Sequence, residues 1–229
     1  VTFSFCHLYF VYRFLFSCHN KRPPYDKIFY HRRPSKTLFT EKVSHSHRYQ
    51  FVYGYKKMLY PINLSFSFED YPHLAGFQYM KDISLPNYTP ARIVDRILEG
   101  KITFEQIQKA AQYEEMVKPR LEALVQLKNS LDNEFNLYSF MPRMYSFYTN
   151  IKADYLIASH VVIDSFVFLI HTSPNGDAKC DFLCCSTFAK GDRDYEQNQK
   201  KRTLLKKERI HIPSNITTVL LNKLDNESS

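Results

Sequence analysis

Tryptophan is absent from this 229-residue chain, and glycine occurs only five times, never clustered. So few isolated glycines leave no phosphate-cradling loop, and neither G-x-x-x-x-G-K-[ST] nor G-x-G-x-x-G occurs. H-E-x-x-H and G-x-S-x-G are also missing, which removes the common zinc-protease and serine-hydrolase signatures. The five cysteines (Cys6, Cys18, Cys180, Cys184 and Cys185) are odd in number and form no C-x-x-C. That usage suits a reducing cytosol better than a disulfide framework. An excess of one charge is lacking as well, once the charge is located. The net charge is +8, but residues 1–48 hold nine Lys/Arg against two Asp/Glu, while residues 49–229 hold 22 against 21. The bulk of the chain is nearly neutral, so overall charge says little about partners.

What is present is a globular composition. Hydrophobic residues make up 44% and aromatics 16%, all of the latter Tyr and Phe. Residues 1–48 stand apart: they contain no glycine and five of the nine histidines, and the chain starts at Val. "VTFSFCHLYFVYRFLFSC" is aromatic without a period of 2 or 3.6. His7 and Arg13 interrupt a run already too short to span a bilayer. No basic segment precedes it as a secretory signal requires, and bulky Phe16 stands against a lipoprotein cleavage site at "LFSC". No membrane partner is expected. "NKRPPYDKIFYHRRPSK", with Pro23, Pro24 and Pro34, reads as an irregular basic arm. Residues 1–48 are therefore expected to be a basic aromatic extension, irregular or not native to the domain that occupies residues 49–229.

Order is expected from Tyr49. "YQFVYGYKKMLYPINLSFSF" reads as two strands around a turn at residues 56–59. "EDYPHLAGFQYM" follows as a helix capped by Asp70, with Leu74, Phe77 and Met80 at helical spacing, ending before Pro86. In "TPARIVDRILEGK", Thr89 caps, Pro90 takes the first position and Gly100 stops the helix. A longer helix begins at the capping box Thr103–Gln106 and is kinked or split by Pro119. Its expected core face is Ile107, Ala111, Leu121, Leu124, Leu127 and Leu131. From Asn136 the pattern becomes strands. Asn175–Gly176 predicts a type I′ hairpin joining residues 166–172 to residues 179–187, and "RTLLKKERIHI" and "TTVLLNKL" close the sheet. The predicted class is α+β, with N-terminal helices packed on a mainly antiparallel sheet of four to six strands.

His171 and the late cysteines raise the question of a metal site. If Asn175–Gly176 is the turn centre, His171 lies opposite Cys180, with Cys184 about 13 Å further along that face and Cys185 on the other face. Zinc ligands converge within about 2.3 Å of one point, so no metal and no cofactor is expected and the cysteines read as small core residues. Two clusters remain. His73 sits in a helix first turn, where free N–H groups favour an anion and disfavour imidazolium; a neutral imidazole there is a candidate general base. The alternative is a ring that packs and bonds a carbonyl. Late in the chain, Lys190, Arg193, Lys200, Lys201, Arg202, Lys206, Lys207 and Arg209 fall close together. Alternation sends Lys206 and Glu208 to one face, Lys207 and Arg209 to the other. Such a strand either clamps a phosphate or guards a solvated edge.

"FEDYPHLAGFQYM", "ITFEQIQKAAQYEEMVKPRLEALVQLKNSLDNEFNLY", "IKADYLI", "CCSTFAKGDRDYEQNQ" and "RTLLKKERIHI" together resemble a phage-associated nuclease family. It is the fourth phage-associated group of the barnase–EndoU–colicin–RelE superfamily, and the resemblance spans about residues 49–224. It implies a barnase/EndoU/colicin/RelE-like fold and a metal-independent, cytoplasmic bacterial endoribonuclease of toxin or phage-conflict type. RNA is then the partner, together with an antitoxin or immunity protein. In such chemistry a base takes the 2′-hydroxyl proton, the oxygen attacks phosphorus, an acid protonates the leaving 5′-oxygen, and cations stabilise the phosphorane. On the matched words, His73 is assigned as base or acid, Lys152 and Lys206 as phosphate clamps, and Ser186 as a phosphate hydrogen-bond donor. Arg193, Tyr195, Lys207 and Arg209 are assigned to RNA binding, Tyr195 by stacking on a base. His160 and His171 lie outside the strongest words. The competing readings are a catalytically inactive nucleic-acid- or protein-binding module of a mobile element, and a structural mobile-element protein.

Overall fold

The computed structural model describes residues 47–83, 85–172 and 180–224. Among these described residues, eight strands carry the fold: β1 (His47–Tyr55), β2 (Met58–Ser65), β3 (Asn136–Ser139), β4 (Tyr155–Ser159), β5 (Ser165–His171), β6 (Asp181–Ala189), β7 (Lys200–His211) and β8 (Ile216–Asn222). The strand order is β1-β2-β6-β5-β4-β3-β7-β8, and β1 pairs in addition with β7. That last pairing joins His47 to His211 and Gly54 to Thr203 along the whole length of β1. Seven strands thus close into a barrel, with β8 attached to β7 outside the ring. All pairings in the ring are antiparallel except β2 with β6, which is parallel.

This overturns the expected open sheet with N-terminal helices. A hairpin precedes the helices, and its first strand zips onto β7, about 150 residues later. Closure pairs backbone groups that an open sheet would leave at its edges. Alternate residues of each strand feed one main core: Tyr49, Phe51 and Tyr53 on β1, Ile62 and Leu64 on β2, Leu137 on β3, Ile157 on β4, Val167 and Leu169 on β5, Phe182 and Cys184 on β6. A second cluster, with Tyr138, Leu156, Phe166, Phe168 and Tyr195, uses the opposite faces of β3, β4 and β5. Cys185 is the extra residue of a β-bulge, since Phe168 pairs Ser186 and Leu169 pairs Cys184. The bulge lets Cys184 and Thr187 face the same side despite their odd spacing.

Helices lie between β2 and β3: α1 (Tyr71–Leu74), α2 (Pro90–Leu98), α3 (Phe104–Gln108) and α4 (Lys118–Asp132). The continuous helix expected over residues 70–80 does not form. Its one α-helical turn ends before Gly76, whose φ is +81°, and 3-10 turns follow. Gly76 is required there: a Cβ would lie 2.8 Å from the Met116 carbonyl oxygen and 2.8 Å from Arg120 Cδ. Asp70 does not cap; its Oδ2 instead accepts from the Ser67 N–H at 2.9 Å. Thr89 does cap α2, accepting from the Arg92 N–H at 3.3 Å, and Thr103–Gln106 form the capping box of α3. The long helix is split, as Pro119 implied: a π-turn (Tyr113–Val117) separates α3 from α4. Ile107, Leu121, Leu124, Leu127 and Leu131 are buried, but Ala110 takes the place expected of Ala111, because α3 has ended by then. The Asn175–Gly176 turn lies outside the described residues. His171 pairs with Phe182 rather than standing opposite Cys180.

Candidate active site

The mouth of the barrel beside the β1–β2 turn gathers phenols and cations. Ser139 of β3 pairs with Tyr155 of β4 on one side and with Lys200 of β7 on the other. Arg202 pairs with Leu137, a core residue, so its side chain starts on the inward face. Its guanidinium lies 4.0 Å from the Tyr55 ring centroid and 5.7 Å from that of Tyr53. Arg202 Nε donates to Ser139 Oγ at 2.8 Å, while its Nη1 is buried with no hydrogen-bond partner among the described residues. A buried unpaired donor costs about 1–3 kcal/mol, so an acceptor arriving there is favoured. Lys200 Nζ donates to the Tyr55 hydroxyl at 3.3 Å, and Lys56 Nζ lies 5.5 Å from the same ring.

Two phenols in this mouth are pushed in opposite directions. Hydrogen bonds from Lys200 and Arg202 lower the Tyr55 pKa. Burial, then its bond to Tyr53, raises that of Tyr155; the Tyr53 and Tyr155 hydroxyls are 2.8 Å apart. Tyr55 is thereby drawn toward phenolate, and Tyr155 is kept as a protonated donor. Groups whose environments separate their pKa values in this way are natural acid and base partners. The adjoining two-residue turn is made by Lys56 and Lys57, both in the left-handed region with φ of +50° and +63°. Side-chain-bearing residues pay roughly 1–2 kcal/mol each for that conformation, and such strain concentrates at functional sites.

The far end of β7 is also basic, but its cations are engaged. Lys207 is 3% exposed. Its Nζ donates to the Asp132 carbonyl at 3.1 Å and to that of Asn133, and lies 4.8 Å from the Phe135 centroid. It caps the carbonyl end of α4, and burial lowers its pKa to about 8. The Asp132 carboxylate takes Arg209, Lys128 and the Tyr49 hydroxyl. His47 stands beside His211, ring centroids 5.0 Å apart. Its pKa is lowered to about 4, chiefly by burial and then by Arg209.

The residues assigned from the sequence fall into separate groups. Lys152, Ser186, Arg193 and Tyr195 come to the outer aromatic cluster: the Cys185 thiol donates to the Lys152 carbonyl, Ser186 pairs with Phe168, and Phe168 lies 5.2 Å from Tyr195. Tyr195 is 6% exposed and ringed by Phe147, Phe166, Phe168 and Phe188, which leaves its ring no open face for a base. Arg193 is exposed, over the Phe147 ring at 5.5 Å. His73 is exposed on α1, which packs against β6. Lys206 pairs with Glu208 at 2.9 Å, and Lys207 and Arg209 take the opposite face, as alternation required. His160 bridges Asp164 and Glu196 at 2.8 and 3.1 Å, and the carboxylates raise its pKa. The His171 ring meets Phe182 edge-on at 5.1 Å.

Sequence reasoning missed Tyr53, Tyr55, Tyr155 and Ser139, and counted Lys200 and Arg202 only within a charge run. The available signal was period 2: "YQFVYGY" places Tyr49, Phe51, Tyr53 and Tyr55 on one face. Among the described residues, no three His, Cys, Asp or Glu come together to hold a metal ion, and no helix is long and apolar enough to cross a membrane.

A family model described as phage-Barnase-EndoU-ColicinE5/D-RelE like nuclease4 matches residues 45–224. No curated protein and no solved structure matches the chain. The match covers most of the chain and every described strand and helix, and the chain belongs to this family of phage-associated nucleases.

Proposed function

We propose that this member of the phage-associated nuclease family cleaves RNA without a metal, by 2′-hydroxyl transesterification at the mouth bounded by Tyr55, Tyr155, Lys200 and Arg202. The observation that carries the reading is the geometry around Arg202: its guanidinium lies 4.0 Å from the Tyr55 ring centroid, its Nε donates to Ser139, its Nη1 is buried without a partner among the described residues, and Lys200 Nζ donates to the Tyr55 hydroxyl. Tyr55, in its phenolate form, takes the 2′-hydroxyl proton. The 2′-oxygen attacks the adjacent phosphorus, and Lys200 and Arg202 hold the phosphorane's added charge. Tyr155 gives its proton to the departing 5′-oxygen, leaving a 2′,3′-cyclic phosphate and a free 5′-hydroxyl. In this reading the enzyme works in the cytoplasm, where thiols stay reduced, as a toxin-like or phage-conflict nuclease held in check by an antitoxin or immunity protein. The assignment of His73, Lys152, Ser186 and Lys206 to catalysis is the competing version of the same chemistry.

The experiment is cleavage of mixed RNAs by the full chain in EDTA, beside Arg202→Ala, Tyr55→Phe, His73→Ala and Lys206→Ala. Cyclic phosphate ends that disappear in the first two variants support the mouth. Loss confined to His73→Ala and Lys206→Ala moves the site to them. A folded protein that cleaves no RNA favours the inactive binding module, which the near-neutral charge of residues 49–229 also suits.

A further inference from the structure

We propose that Lys56 forms a second phosphate subsite at the mouth, taking the phosphate on the 5′ side of the nucleotide whose 2′-hydroxyl attacks. The protein then favours RNA that carries a phosphate at that place. The inference deepens the ribonuclease reading and rests on it for the direction in which the RNA lies.

The mouth holds more positive charge than one phosphorane uses. Lys200 Nζ lies 5.3 Å, Lys56 Nζ 5.5 Å and the Arg202 guanidinium 4.0 Å from a single centroid, that of the Tyr55 ring. Like charges gathered about one phenol repel one another, and a polyanion arriving among them relieves that repulsion. No carboxylate does so in the protein itself: among the described residues, no ion pair includes Lys56, Lys57, Lys200 or Arg202. Two carboxylates approach the strands that build the mouth, and both are engaged. Asp154 acts on Tyr155, but its Oδ2 accepts from the His171 amide at 2.9 Å. Glu196 accepts from the Tyr138 hydroxyl at 2.7 Å and meets His160 at 3.1 Å. The buried, unpartnered Nη1 of Arg202 is a separate sign that the mouth is shaped for an acceptor from outside.

The order of the strands divides the cations between two phosphates. Around the barrel, β4 brings Tyr155, β3 Ser139, β7 Lys200 and Arg202, and β1 Tyr55, with the turn to β2 next. The proposed acid, the phosphorane clamp and the base therefore follow one another, and Lys56 stands beyond the base. An RNA with its leaving group at Tyr155 and its 2′-hydroxyl at Tyr55 continues in the 5′ direction toward Lys56. Lys200, which donates to the Tyr55 hydroxyl at 3.3 Å, stays with the reacting phosphorus. Lys56 is also well placed to wait for a ligand. Tyr55 pairs with Met58, so Lys56 and Lys57 are the whole of the turn, and the Lys56 backbone is fixed one residue past Tyr55. Only its exposed side chain has to be ordered on binding.

The test compares three substrates with the full chain in EDTA: the uridine dinucleotide UpU, and UpU with an added phosphate at its 5′ or its 3′ end. The readout is the ratio of kcat/KM between phosphorylated and plain dinucleotide, which cancels whatever a variant does to the chemistry they share. The native chain is expected to favour the 5′-phosphorylated form about ten-fold, and less as salt is raised. Lys56→Asn is expected to bring the ratio close to one, since Asn tolerates the left-handed backbone of that position and removes only the charge. Lys56→Arg and Lys57→Asn are expected to keep the preference. A native ratio near one overturns the inference. So does a preference for the 3′-phosphorylated form, one that survives Lys56→Asn, or one lost equally in Lys57→Asn. Binding of the same compounds in 2′-O-methyl form, which cannot be cut, separates this subsite from the reading beneath it. If the 5′-phosphate tightens binding through Lys56 but no RNA is ever cut, the subsite stands and the ribonuclease reading falls. If RNA is cut with no gain from the 5′-phosphate, the subsite falls and the ribonuclease reading stands.

Discussion

The two ends of β7 carry the same kind of side chain and do different things with it. At its start, Lys200 and Arg202 meet phenols, and Arg202 retains a buried N–H donor with no partner. Toward its end, Lys207 and Arg209 meet the carbonyl terminus and the last carboxylate of α4, and their charge is absorbed. What separates the ends is the acceptor supplied by the rest of the fold. A cation facing aromatic rings keeps its attraction for an incoming phosphate. A cation facing a carboxylate and helix carbonyls has become part of the scaffold.

The sharpest test of this contrast is Arg202→Ala. It is expected to lower kcat about 10²–10³-fold, the usual loss for a donor to a developing oxyanion, with the urea midpoint little changed; a full-rate variant would erase the distinction between the ends. Asp132→Ala should do the reverse. Removing the carboxylate strands Arg209 and Lys128, and unfolding free energy should fall by about 3 kcal/mol while kcat of the folded protein holds. Next in size is Tyr55→Phe, expected to cut kcat about 10²-fold. In the native chain the rate should rise with pH as the phenol ionises, and that rise should vanish in the variant.

A smaller effect is expected from His47. Its folded pKa, about 4, lies below the ordinary value of 6.5, so the unfolded chain binds the proton more readily. Its contribution to stability is present above pH 6.5 and is lost as pH falls toward 4. His47→Gln should flatten that part of a stability-versus-pH curve measured by urea unfolding. The least change belongs to Lys206→Ala, whose partly exposed pair with Glu208 should be worth under about 1 kcal/mol; a large loss of cleavage there would return the site to the outward face.

Much of this was legible because it depends on neighbours in the chain. The caps at Thr89 and Thr103, the break at Pro119 and the alternation of Lys206 with Lys207 follow from local backbone chemistry and periodicity. The family words were legible for the same reason, as short runs in order. The helix expected through Gly76 was wrong because the apolar spacing was right. Tyr71, Leu74, Phe77 and Met80 are all buried, but on a chain that turns at Gly76 to clear Met116 and Arg120, which are remote in sequence. The enclosure of Tyr195 was not legible, because only the packing of four phenylalanines around it shows that its ring is covered.

By itself, then, the sequence determined the β1–β2 hairpin, the starts of α2 and α3 and which side chains share a strand face, since these follow from caps and steric periods of a few residues. Tertiary structure decided that the sheet closes, because β1 meets β7 only after about 150 residues of intervening chain have been placed. It also decided which cations meet helix carbonyls and a carboxylate and which meet aromatic rings, because that depends on what the far end of α4 and the tyrosines of β1 bring to each end of a single strand.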